Sequence, residues 1–178
     1  PMLQAISQTD TVPFVRVAWN DPAPIMKALD LGAYGIIVPL VNNADEAERA
    51  VSACRYPPDG MRSFGPIRAF QYGGADYPSK ANEEIIVMAM IETKEGLANL
   101  EAICATPGLD AVYIGPSDLS YALELAPRGD NPDPLHIETC NKILKTAHDS
   151  GIKAVMHCAG SEFAIGAAEW GFDMVMLT

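Results

Sequence analysis

The chain has 178 residues, of which 49% are hydrophobic and 20% charged, enough for one domain with a substantial core. Twenty-three acids against twelve Lys and Arg leave a formal charge of −11, which argues against nucleic acid and anionic membrane surfaces as partners. No apolar run approaches the roughly 18–20 residues of a membrane span, the opening PMLQAISQTD lacks a signal-peptide core, and Cys54, Cys104, Cys140 and Cys158 form no CxxC pair, so a cytoplasmic protein with reduced core cysteines is expected.

The first predicted strand is VPFVRV (12–17). Asp21 or Asn20 then caps a helix with Pro22 at its first position, and Gly32 stops it. YGIIVP (34–39) is the second strand, and Asn43 followed by Glu46 matches a capping box for a helix running to about Arg55. Residues 56–84 make a long excursion rich in Gly, Pro, Tyr and Arg. IIVMAMIE (85–92) is the third strand, with Thr93 capping a helix through GLANLEAICA. AVYIGP (111–116) is the fourth, followed by a second long loop over 117–132 and a helix within 133–150 that ends at Gly151. KAVMHC (153–158) is the fifth strand, Ser161 caps the last helix, Gly171 ends it, and MVMLT (174–178) is the sixth strand.

These strands are almost continuously apolar, as strands covered on both faces are. Their alternation with helices predicts right-handed βαβ units and a parallel sheet. Neither GxGxxG nor GxxxxGK[ST] occurs, so dinucleotide and P-loop binding lack their fingerprints.

Sites in parallel α/β folds form at the carboxyl ends of the strands. Arg16, Glu92 and Asp118 fall there. The two acids are one βα unit apart, which puts them on neighbouring strands. Carboxylates held together repel unless a cation lies between them, and all-oxygen ligation favours Mg²⁺ or Mn²⁺ over zinc. Helix caps or surface acids are the competing reading, and the pattern alone leaves both open. Arg16 is either a planar fork for a substrate carboxylate or a buried arginine paired with one of the acids.

Five ordered segments carry a resemblance: VRVAWND (15–21), ALDLGAYGIIVPLVNNADEAERAV (28–51), YPPDGMR (56–62), IETKEGLANL (91–100) and IGPSDLS (114–120). Together they resemble the HpcH/HpaI aldolase family over nearly the whole chain. The resemblance implies a TIM (β/α)8 barrel of the phosphoenolpyruvate/pyruvate type. It implies a class II aldolase that makes or breaks a C–C bond between a pyruvate enolate and an aldehyde. The implied cofactor is Mg²⁺ or Mn²⁺, with Co²⁺ a further candidate. Carried over onto this chain, Glu92 and Asp118 are the metal ligands and Arg16 holds the 2-oxo acid, pyruvate or oxaloacetate. Gly115 and Ser117 lie in the turn that meets the substrate carboxylate. Asp30 matches an acid that partners the catalytic histidine. A homo-oligomer, a hexamer or trimer of dimers, is implied as well.

The chain departs from that pattern in two places. Met90 stands where the family commonly has Gln. The family's catalytic His precedes the segment matching VPFVRV, and His136, His148 and His157 do not match it. A TIM barrel needs eight strands in about 250 residues, and six are counted here, so residues 1–178 are expected to be a single barrel domain without its first two βα units. The resemblance implies that the hydroxyl base is that upstream His, so this segment by itself is not expected to work as an aldolase.

Three rival readings are carried forward. They are a CoA-thioester lyase of the citrate-lyase β type, a catalytically inactive barrel that binds a 2-oxo acid, and an open doubly wound, flavodoxin-like binding domain. No Lys falls in the site motifs, which disfavours Schiff-base chemistry. His157 is read as a core histidine ahead of a pocket group, and Trp19 as packing. Arg62 and Arg68 are read as solvated loop arginines or contacts for an anionic acceptor. The aromatics of SEFAIGAAEWGF are read as packing on the barrel or a neighbouring subunit.

Overall fold

The computed structural model describes residues 1–178. Six strands form where the apolar runs predict them: β1 Phe14–Arg16, β2 Gly35–Val38, β3 Ile86–Ile91, β4 Ala111–Ile114, β5 Lys153–Cys158 and β6 Met174–Leu177. All neighbours are parallel, and the spatial order β1-β2-β3-β4-β5-β6 repeats the chain order. A doubly wound sheet reverses its strand order at a switch point. This order never reverses, which contradicts the flavodoxin-like alternative and makes the sheet a six-stranded partial barrel.

Period-two alternation divides the strands into two faces. One face packs Ile36, Val38, Val87, Ala89, Val112, Ile114, Ala154 and Met156 against the helices in the main core. The other carries Ile37, Met88, Met90, Ala111, Tyr113 and Val155, with Phe14, Met174 and Met176 against them. The continuous apolar runs thus serve two apolar environments, and the second is the concave side on which a site can form.

The caps behave largely as their residue types require. Asp21 accepts from the Ala23 amide at 2.7 Å to open α2 (Pro22–Asp30), and Asn43 accepts from the Glu46 amide at 2.9 Å to open α3 (Ala44–Cys54). The return bond of the capping box is displaced by one residue, because Glu46 accepts from the Asn42 amide. Thr93 caps a helix that breaks at Asn99, giving α4 (Lys94–Ala98) and α5 (Leu100–Cys104) where one was expected. The Asn99 side chain donates to the Asn42 carbonyl at 2.8 Å, a local alternative to helix continuation.

Other expectations are corrected. The excursion over 56–84 holds two short helices, Ala69–Gly73 and Tyr77–Glu84, and α1 (Met2–Ile6) precedes the first strand. Residues 117–132 are not all loop: α6 (Pro116–Ala122) takes their first part, so Asp118 stands in a helix's first turn. Asp133 caps α7 (Pro134–Asp149). Gly160, not Ser161, occupies the cap of α8 (Ser161–Trp170), and Asp130 accepts from the Ala159 and Gly160 amides instead. Arg62 is neither solvated nor free. It is 1% exposed, paired with Asp30 at 3.0 Å and bonded to the Tyr77 hydroxyl. Arg68 donates to the Tyr72 hydroxyl. Phe163 and Trp170 pack edge to face on α8. All four cysteines are free and buried, and no helix is long and apolar enough to cross a membrane.

Asp173 fastens the loop before β6 to the start of β5. It accepts from Lys153 and His148 side chains and from the Ala154 amide, each at 2.8–2.9 Å. Burial pushes its carboxyl pKa up, but these donors outweigh burial and bring it down to about 2. A depressed folded-state pKa stabilises the fold above the unfolded value and is lost as pH falls through the folded one. Asp173→Asn should therefore destabilise by roughly 1 kcal/mol at pH 7. In urea unfolding across pH, its gap from the unsubstituted protein should close between about 4 and about 2; a gap that persists at pH 2 would remove the carboxylate from this role.

Candidate active site

At the carboxyl ends of the strands the concave face opens into a cleft of about 670 Å³. Its polar groups come from the ends of four strands: Arg16 from β1, Glu92 after β3, Gly115, Ser117 and Asp118 after β4, and His157 from β5. The inward parity that selects Met88 and Met90 also selects Glu92, and the parity of Ala111 and Tyr113 selects Gly115. Five of the sequence-predicted residues, Arg16, Glu92, Gly115, Ser117 and Asp118, are therefore brought together.

Asp30 is not among them. It ends α2, near the amino ends of the strands, and pairs with Arg62. Within this one chain Asp30 therefore stands outside the cleft. His136 is also excluded, being buried on α7 with its Nε2 at 3.2 Å from the Pro116 carbonyl. His148 lies at the far end of the strands on Asp173.

Glu92 is the least ordinary group in the cleft. It is 4% exposed, and its Oε1 accepts from the Leu40 amide at 2.8 Å. Leu40 stands in the left-handed region at φ 54, a conformation that disfavours a branched side chain and is often kept where function requires it. Asn42 holds that turn by donating to the Leu40 carbonyl at 2.9 Å, and Thr93 donates to Asn42 in turn. Gly115 accounts for the other oxygen. A Cβ on Gly115 would lie 2.3 Å from Glu92 Oε2 and 2.9 Å from the Met90 methyl. Only glycine leaves Oε2 bare and the space beside it open.

Burial raises the Glu92 pKa, the Leu40 amide lowers it, Asp118 raises it and Arg16 lowers it; the net shift is upward. Asp118 and Arg16 are exposed, and Arg16 is paired with no acid, so the paired-arginine reading does not hold. No third His, Cys, Asp or Glu joins the two carboxylates. The donor set is all oxygen, one member is desolvated with a free oxygen, and the space beside that oxygen is kept clear. These features fit a hard divalent cation whose other positions go to water or substrate oxygens. No lysine lines the cleft.

Sequence reasoning missed two contributions. The Leu40 amide has no side-chain signature. Tyr113 reads as core, although its inward parity two residues before Gly115 places it in the cleft. Its hydroxyl lies 2.9 Å from His157 Nδ1, so His157 is a cleft residue more than the core histidine expected. Trp19, 59% exposed, lines the rim. A second cavity, about 250 Å³, lies under the Met2–Ile6 helix against Tyr34 and Tyr72 and gathers no comparable charges.

A raised carboxylate pKa has a signed consequence for stability. Above its folded pKa, Glu92 bears the cost of a buried charge; below the usual value of 4.5 it is protonated in both states and the cost vanishes. With chelator present, Glu92→Gln should thus melt at a higher temperature than the unsubstituted protein at pH 7.5, with the difference shrinking as pH falls toward 4.5. A lower melting temperature at pH 7.5 would show that the carboxylate is not strained by burial.

Comparison with known proteins gives three consistent findings. Residues 1–177 match the family model described as HpcH/HpaI aldolase/citrate lyase. Among curated relatives, the chain is 43% identical over 175 residues to a hydroxypyruvate/pyruvate aldolase of Rhizorhabdus wittichii, covering 98% of this chain and 70% of that one. It is also 43% identical over 134 residues to a 4-hydroxy-2-oxo-heptane-1,7-dioate aldolase of Salmonella paratyphi B, covering 74% and 51%. Among solved structures, an HpcH/HpaI aldolase from Desulfitobacterium hafniense superposes with a TM-score of 0.90 at 28% identity, covering 99% of this chain and 69% of that one.

Proposed function

The chain belongs to the HpcH/HpaI aldolase/citrate lyase family, and on that premise we propose that it is a lyase, a divalent-metal-dependent aldolase joining or cleaving a pyruvate unit and an aldehyde. The observation that carries this reading is the buried Glu92 carboxylate with one oxygen bare, beside Asp118 and the unpaired Arg16. The aldolase reading is favoured over the citrate-lyase type because relatives named as aldolases are identical at 43% of matched positions. In this reading the six strands are six units of a (β/α)8 barrel, residues 1–178 form one domain, and the protein works as a homo-oligomer. The exposed Met61, Phe64 and Ile67 supply apolar surface for such contacts.

Glu92 and Asp118 would hold the cation, Mg²⁺ or Mn²⁺. When bound, the cation supplies Lewis-acid stabilisation of the negative charge that develops on the 2-oxo oxygen. The chain's residues do the rest. Arg16 meets the substrate carboxylate with two parallel donors, and the backbone at Gly115 and Ser117 closes on the same group. Met90, Met174 and Met176 keep the floor of the cleft apolar. Orientation is settled before chemistry, which is worth more than any one contact. The same set serves an inactive binding barrel equally well, and turnover separates the two.

Arg16→Lys keeps the charge and loses the fork. Losing one charge-assisted hydrogen bond costs about 1.5–3 kcal/mol, or roughly one to two decades in kcat/KM. Steady-state kinetics with oxaloacetate and with pyruvate plus an aldehyde should therefore show a 10- to 100-fold lower kcat/KM, carried by KM for the 2-oxo acid. An unchanged KM would remove Arg16 from the substrate site.

A further inference from the structure

The charged groups at Arg16, Glu92 and Asp118 account for one substrate and leave an unused polar pair beside them. Tyr113 and His157 both face the cleft, and the Tyr113 hydroxyl lies 2.9 Å from His157 Nδ1. The pairings Met90↔Tyr113 and Tyr113↔Val155 place Glu92, Gly115 and His157, each two residues further on, in one rung across β3, β4 and β5. With strands spaced about 4.8 Å apart, the His157 backbone lies about 10 Å from that of Glu92. A short second substrate fits within that span.

The donor direction of the pair follows from chemistry. Burial keeps the Tyr113 pKa high, at about 12, so the hydroxyl retains its proton. That proton has two acceptors within reach: His157 Nδ1 at 2.9 Å and Met176 Sδ at 3.5 Å. An imidazole nitrogen is much the stronger acceptor, so Tyr113 donates to Nδ1. Burial, offset in part by Asp130 and reinforced by Arg16, lowers the His157 pKa and keeps the ring neutral near neutral pH. A neutral ring that accepts at Nδ1 carries its proton on Nε2. The only partner near Nε2 is Thr178 Oγ1, at a long 3.4 Å. Phe14, Met90, Met174 and Met176 line the same cleft, together with Arg16, Ser117 and Thr178.

Resting on the aldolase reading, we infer that His157, held by Tyr113, is the hydrogen-bonding contact for the second substrate, and that it makes a hydroxyaldehyde the preferred acceptor over an alkyl aldehyde of the same size. A hydroxyl beside the carbonyl gives Nε2–H a close acceptor. An alkyl group in the same place leaves that donor only the long contact to Thr178 Oγ1, and sites built to bond a hydroxyl reject analogues lacking it for this reason. His157 is half-buried, so the discrimination is smaller than in a sealed pocket.

Glycolaldehyde and propanal are near-isosteric and differ by the hydroxyl. The test is kcat/KM for adding pyruvate to each, with Mn²⁺ and the complete protein, alongside oxaloacetate decarboxylation as a reading of the pyruvate half alone. The unsubstituted protein should favour glycolaldehyde by about 10-fold or more. His157→Leu should bring the ratio near one, losing glycolaldehyde and gaining propanal. His157→Gln, which keeps an N–H donor, should retain part of the preference, and Tyr113→Phe, which frees Nδ1, should weaken it. Near-equal aldehyde rates in a protein that decarboxylates oxaloacetate would overturn this inference alone, as would a preference that survives His157→Leu. Absence of both reactions would overturn the aldolase reading and this inference with it.

Discussion

A carboxylate buried at the end of a parallel strand must be compensated, and the surroundings of Glu92 are arranged to do that only halfway. One oxygen has the Leu40 amide. The other has nothing, and Gly115 keeps its surroundings empty. A fold seeking stability alone would satisfy both oxygens or replace the acid. Leaving one bare next to a second acid preserves a demand for positive charge. The left-handed turn at Leu40 and the Asn42, Thr93 and Asn99 bonds that hold it exist on the same terms. They spend the polar groups of three loops on fixing one amide.

The period of the sheet carries this demand to its place. Inward and outward residues alternate along β3 and β4, so the outward set joins the helices and the inward set makes an apolar wall that ends in Glu92 and Gly115. Tyr113 and His157 fall on the same wall from β4 and β5. At the opposite end of the strands, other polar clusters bind structure together: Arg62 with Asp30 and Tyr77, Arg55 with Asp110, and Asp173 with Lys153 and His148. Those groups are paired among themselves, whereas Arg16 is not. That contrast sets Arg16 apart from the charges that bind the structure together.

The strands and most caps were legible because their causes are local. β-branched runs mark all six strands, and Asp21, Asn43 and Thr93 each bond an amide two or three residues on. The positions of Arg16, Glu92 and Asp118 were legible because strand ends define a rim. Asp30 rests on the resemblance alone, because a matched letter says nothing about which end of a helix lies near the rim. Arg62 misled because composition marks its segment as a loop, while two tyrosines, Tyr56 and Tyr77, and Asp30 enclose it. Asn99 broke a predicted helix through a long-range bond to Asn42. The Leu40 amide was beyond reach for a simple reason: every residue has one, and only the backbone geometry aims it.

Whether the cleft binds a divalent cation through these two acids is the claim on which the function rests. The most direct measurement is titration of the complete protein with Mn²⁺, following free ion by electron paramagnetic resonance, for the unsubstituted chain, Asp118→Asn and Gly115→Ala. One tight site per chain is expected in the first. It should be lost or weakened by about 100-fold or more in both variants, since one removes a ligand and the other drives a methyl to 2.3 Å from Glu92 Oε2. Mn²⁺ binding by Gly115→Ala and Asp118→Asn equal to that of the unsubstituted chain, or no tight site in any of the three, would contradict the account.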